Sequence, residues 1–211
     1  MHPIYLHPLP VRLWHWINAL GCVVLFLTGI QLRYVGLIDV VSFRTAVQVH
    51  NVTGFVVAAN FLLWLGYYVS SPRIRTYHAE LNPVKYFVGS VRQALYYSYG
   101  IFRELPPPFR PTIYHKFNAL QAMTYQILMI IVLPLQILSG LLLWNLLGFS
   151  HLVAFFGGVR VIDTVHVLVF VFFGFYIPAH IYLGTLGRKP LTHYKEMITG
   201  YEEEEGADAA E

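Results

Sequence analysis

Four long apolar stretches separated by polar breaks organise this 211-residue chain. They predict helices over about 14–34, 47–69, 119–147 and 161–186. The second stops at Ser70-Ser71-Pro72-Arg73 and the fourth before Gly187-Arg188-Lys189-Pro190. Each stretch has ~20 residues or more, enough at ~1.5 Å per residue to cross ~30 Å of hydrocarbon. Backbone groups in lipid must bond within their own segment, so these stretches are helices. The pattern predicts an all-α membrane protein, a four-transmembrane-helix bundle spanning residues 1–190. Between the second and third spans, Val84, Phe87, Val88, Val91, Leu95 and Phe102 fall near one helical face, with Lys85 and Arg92 elsewhere. That spacing predicts a loop helix, either lying on the membrane surface or packed on the bundle. Pro106-Pro107-Pro108 ends it. Residues 191–211 read as a tail whose acidic end, from Glu202 to Glu205 and beyond, is expected to be disordered.

Composition agrees with a membrane protein. The chain is 56% hydrophobic and only 12% charged, with a mean hydropathy of +0.55; soluble domains carry about 25% charged residues. Arg12 followed by an apolar run has the look of a secretion signal, but no small-x-small cleavage site follows and the run exceeds signal length, so a retained span is expected. Cys22 is the only cysteine. That excludes an internal disulfide, an iron–sulfur cage and the C-x-x-C-H attachment of a covalent haem. With the N-terminus inside, eleven of the fourteen Lys and Arg face the cytoplasm, and only Arg33, Arg44 and Arg160 lie outside. The positive-inside rule therefore orients both termini, and the loop helix, to the cytoplasm.

Histidines carry the candidate chemistry. His166 and His180 are fourteen residues apart in the fourth span, about 21 Å along a helix and close to four whole turns. His15 opens the first span on the cytoplasmic side and His50 the second on the outer side. The depths pair His15 with His180 and His50 with His166. Two neutral imidazoles per iron suit a low-spin electron-transfer haem, so the pattern predicts two non-covalent b haems, with these four histidines as axial ligands. A single membrane histidine is more often a packing residue, but ionisable groups within spans are costly and usually functional, and here two depths match. Metal transport would call for more acids than Asp163, the only one within or bordering a span. Gly21, Gly29, Gly54 and Gly174 offer room for a macrocycle or for plain helix packing. Arg12, Arg33, Arg44 and Arg160 suit haem propionates or lipid phosphates.

Arg12-Leu-Trp-His15-Trp16, His50-x-x-x-Gly54 and the His166/His180 pair resemble the membrane cytochrome b family of formate dehydrogenase gamma subunits and thiosulfate reductase cytochrome b subunits, with nickel–iron hydrogenase relatives. The resemblance covers about residues 10–190. It implies two b haems between an outer redox partner and a quinone site (menaquinone or ubiquinone). Asn118-Ala119-Leu120-Gln121 is similar to the family's quinone-pocket stretch, which makes Asn118 and Gln121 candidate quinone ligands beside the inner haem; on their own they read as interfacial helix-start residues. Tyr114 and His115 precede them, and His115 is a possible proton relay or a solvated loop residue. The implied partners are an iron–sulfur or multihaem subunit with a catalytic subunit on the outer face, the quinone pool and membrane lipid, without nucleic acid. The implied location is a bacterial or archaeal inner membrane.

Three functions follow from these readings. The first is an electron-transfer subunit of a respiratory oxidoreductase, with substrate chemistry left to its partners. The second is a stand-alone transmembrane enzyme reacting with a small outer acceptor; the short outer loops, about 35–46 and 148–160, offer no obvious pocket for one. The third is a haem-free permease or anchor.

Overall fold

The computed structural model describes residues 4–5, 7–37, 40–71, 82–109, 117–186 and 191–202. Its helices are α1 (Leu9–Arg33), α2 (Phe43–Val69), α3 (Pro83–Ser98), α4 (Ala119–Ile127), α5 (Leu133–Trp144), α6 (Ser150–Phe155), α7 (Val159–Gly184) and α8 (Thr192–Thr199). Two-residue strands β1 (Ile4–Tyr5) and β2 (Tyr201–Glu202) pair antiparallel. Four stretches are long and apolar enough to cross a membrane: α1, α2, Ala119–Trp144 and α7. Their side chains point mostly outward; Leu63 is 73% and Phe175 77% exposed, as a lipid solvent allows. The all-α, four-span reading therefore holds.

The helix ends differ from the expected ones. α1 starts at Leu9 rather than near 14, and α2 at Phe43 rather than near 47. Helical bonding begins before the apolar run in both. The third span ends at Trp144 instead of 147, because Asn145 turns the chain and its Oδ1 accepts the Gly148 N–H at 2.9 Å. The fourth runs two residues earlier at both ends than expected. The third span is also not one regular helix. A π turn over Leu128–Val132 joins α4 to α5, just before Pro134. Pro134 has no N–H, and its ring would collide with the carbonyl four residues back; the wider turn accommodates this at that point.

The chain divides into two compact units. One comprises Leu13–Tyr67 and Ile130–Ala179. In it most of α1, α2 and α7 packs with α5 as a four-helix bundle. At Gly21 a Cβ would stand 2.6 Å from a Val57 methyl group, so the side chains of α2 pack directly on the α1 backbone there. Asn60, 7% exposed, donates to the Trp14 carbonyl at 3.0 Å, and Phe26 stacks on Phe170 at 4.9 Å. At Gly174 a Cβ would lie 3.1 Å from Phe26. Gly21 and Gly174 thus serve helix packing, the plainer of their two readings. After α6, Gly157 and Gly158 both take φ +91°, a left-handed conformation open to glycine, and turn the chain into α7.

The other unit comprises Met1–Arg12, Tyr68–Met129 and His180–Glu211. The loop helix forms as α3, with Asn82 capping its first turn through bonds from the Val84 and Lys85 N–H groups, both 3.1 Å. A 3-10 turn, Gly100–Arg103, follows it. α3 packs on α4: a Cβ at Gly89 would lie 3.0 Å from Ala119 Cβ, and Tyr86 donates to Gln126 at 3.0 Å. Residues 192–202, which read from sequence only as tail, fold as α8 and β2. Gly200, at φ +91°, leaves no room for a Cβ, which would approach the His7 carbonyl to 2.7 Å. Arg12 also donates to the Ile198 carbonyl. The expected disordered stretch beyond Glu202 lies outside the described residues.

Candidate haem site

His50 is the eighth residue of α2 and His166 the eighth of α7. Each therefore sits about 10 Å inside its helix end. Their rings face each other with centroids 6.4 Å apart at 68°. At about 2.0–2.1 Å per metal–nitrogen bond, rings this close could both reach one metal ion held between them.

Neighbouring helices fix how each ring presents its nitrogens. Thr28 Oγ1 on α1 donates its proton to the Val24 carbonyl at 2.7 Å and lies 2.9 Å from His50 Nδ1. With that proton used, the hydroxyl accepts from Nδ1–H. Ser139 on α5 repeats the arrangement: it donates to the Leu135 carbonyl at 2.6 Å and stands 3.0 Å from His166 Nδ1. Both rings are thereby held with Nδ1 protonated and Nε2 as the lone pair. Gln136 Nε2, 3.3 Å from His166 Nε2, donates toward that same lone pair.

A cavity of about 490 Å³ surrounds the pair, lined from α1, α2, α5 and α7. Cofactor sites span roughly 300–1,000 Å³. Its walls are largely apolar, with Phe26, Leu133, Trp144 and Phe170 among them. Gly29, Gly54 and Gly140 also line it. A Cβ at Gly54 would meet nothing within 4 Å, whereas one at Gly140 would reach 3.2 Å from His166 Cε1. Gln136 Oε1 is buried there without a hydrogen-bond partner among the described residues. Arg33 and Asp163 border the cavity, paired at 3.4 Å and about half exposed, so the guanidinium at the edge already has a carboxylate partner. A histidine pair with held tautomers in an apolar slot fits a b haem. Sequence reasoning found His50, His166, Gly29, Gly54 and Arg33. It missed Thr28, Ser139, Gln136 and Gly140, polar or small residues at ordinary helical positions.

His15, half-buried on α1, meets Trp16 edge-on with centroids 5.2 Å apart at 87°. His180 is exposed on α7, two residues after Pro178, and the helix continues through that proline to Gly184. The two belong to different units. Asn118 and Gln121 form a capping box at the start of α4. Asn118 Oδ1 accepts the Gln121 N–H at 2.8 Å, and Gln121 Oε1 accepts the Asn118 N–H at 3.2 Å. Asn118, 4% exposed, also donates to Tyr97 Oη at 3.3 Å. Burial raises the Tyr97 phenol above its ordinary value, and its bonds with Asn118 and Gln93 offset part of that, so it stays protonated at neutral pH. Gln121 is exposed. Tyr114 and His115 lie outside the described residues.

A model of the prokaryotic cytochrome b561 family matches residues 6–200. "Putative cytochrome YdhU" of Escherichia coli (strain K12) is 33% identical over 201 residues, 94% of this chain and 74% of that protein. No solved structure matches significantly. With four spans and a facing histidine pair, the chain belongs to the prokaryotic cytochrome b561 family and is a multi-pass membrane cytochrome of the b type, acting in electron transfer.

Proposed function

We propose that this cytochrome is the membrane subunit of a respiratory oxidoreductase in a bacterial or archaeal inner membrane. It links a quinone site near the cytoplasmic face to a redox partner on the outer face. In this reading His50 and His166 hold an outer b haem, and His15 and His180 hold an inner one. When bound, each haem supplies a one-electron ferric/ferrous couple. At the His50–His166 pair the protein's part is to hold both imidazoles with Nδ1 protonated against Thr28 and Ser139, to exclude water with apolar walls and, through those hydroxyls, to set the potential of a haem that the pair would hold. The observation that carries the reading is the facing His50–His166 pair with its Thr28 and Ser139 supports.

Support for an inner site is sequence depth: His180 lies fourteen residues beyond His166, about 21 Å along the helix. The quinone reading rests on the resemblance of the Asn118–Gln121 stretch and on the polar cluster at the α3–α4 junction. Within that stretch the roles divide. Asn118 spends its side chain on the helix start and Tyr97, while exposed Gln121 keeps amide hydrogens suited to a quinone carbonyl. The outer partners, an iron–sulfur or multihaem subunit and a catalytic subunit, would supply the substrate chemistry.

Mild-detergent purification with mass identification of attached subunits, followed by quinol addition, tests this. The expected result is stoichiometric redox subunits and haem reduced by quinol. A chain that emerges alone and still reacts with a small acceptor would support the stand-alone alternative instead.

A further inference from the structure

α3 is amphipathic in the opposite sense to a helix of a water-soluble protein. Ser90 and Gln93 are buried, 2% and 4% exposed, on the side that carries Tyr86, Gly89 and Tyr97 toward α4. Val84, Phe87, Val88, Val91 and Leu95 face outward, and Phe102 after them; Val84 is 70% and Phe87 65% exposed. In water an amphipathic helix turns such a stripe inward. The contacts of α3 also fix where it lies. Gly89 meets Ala119, and Tyr97, eight residues further along, meets Asn118. Two points about 12 Å apart on α3 therefore touch the first residues of the third span, and Tyr86 reaches Gln126 further along it, so α3 packs against the opening turns of that span. Lys85 and Arg92, seven residues apart, share one flank of the stripe, the place from which long cationic side chains reach headgroups.

We propose that α3 is an interfacial helix. Its Val84–Phe102 stripe sits among the upper acyl chains of the leaflet that holds the start of the third span, and its Lys85/Arg92 flank binds anionic lipid headgroups. Lipid is the fitting occupant because the stripe adjoins a membrane-spanning helix and its flank is cationic.

The test uses the full chain in lipid nanodiscs, with an environment-sensitive fluorophore attached at Val88, and at Glu104 as control, through an incorporated azido side chain. Val88 should show a blue-shifted emission, quenching by acyl-labelled lipid and loss of iodide quenching relative to Glu104. Labelled anionic lipid should be enriched near α3 over labelled zwitterionic lipid, and Lys85→Gln with Arg92→Gln should abolish that preference while the Val88 emission stays shifted. Iodide reaching Val88 while labelled lipid does not would overturn the proposal. Protection from both quenchers with a doubled mass would also overturn it, in favour of a second copy of the chain. Anionic preference unchanged in the double variant would remove the headgroup part.

Discussion

At the residue scale, the support behind each histidine is as informative as the histidine. Thr28 and Ser139 accept from the Nδ1–H groups of His50 and His166, which would make each imidazole a stronger donor to a bound haem iron and favour its ferric state. Ser139→Ala should leave the haem bound but raise its midpoint potential. If a bond of about 0.5–1.5 kcal/mol acts on one oxidation state, the shift is about 20–60 mV. Redox titration followed by absorbance measures it, and Ser139→Thr should restore the native value; an unchanged potential would contradict the role. Gly140→Val should empty the same site, because its Cβ would lie against the His166 ring, while the other haem signal persists. The histidines were legible in the sequence because ionisable groups stand out in apolar spans. The hydroxyls were not, since most such residues in a helix simply bond their own backbone, as Thr28 and Ser139 also do.

At the element scale, the π turn before Pro134 sets the rotation of α5. An α-helix turns about 100° per residue, so deleting Ile131 should swing Gln136, Ser139 and Gly140 away from the cavity. The expected outcome is a membrane-inserted chain that loses the His50/His166 haem, read from its absorbance spectrum; full haem content would show that the π turn is dispensable. The helices themselves were legible from apolar length, but their ends were not, because hydrogen bonding outruns hydrophobicity at Leu9 and Phe43. Pro134 was the available sign of irregularity in the third span. The capping box offers a separate test. Asp is as good an N-cap as Asn, and its second oxygen can accept from the Tyr97 hydroxyl where Asn118 donates to it, so Asn118→Asp should keep quinol turnover near native if capping is the role of Asn118, whereas Gln121→Ala should impair turnover with both haems retained. The reverse pattern would make Asn118 the quinone ligand.

At the scale of the whole molecule, an even number of spans would return the chain to the side where it began, and β1 (Ile4–Tyr5) pairs with β2 (Tyr201–Glu202). Reporter fusions at both ends should respond as cytoplasmic, as the basic residues predict. Opposite responses at the two ends would break the four-span account. Overall architecture and the meeting of His50 with His166 were legible because membrane crossing constrains composition strongly and ionisable side chains are rare in apolar spans. The folded 192–202 segment was not, because it rests on a few local contacts such as the close approach at Gly200. The central claim is two haems held by two histidine pairs, and its most direct measurement is the haem content of the purified chain by pyridine haemochrome. The account predicts two b haems per chain in the native protein and one in each of His50→Ala, His166→Ala, His15→Ala and His180→Ala. A native chain with one haem, or single variants that keep both, would contradict it.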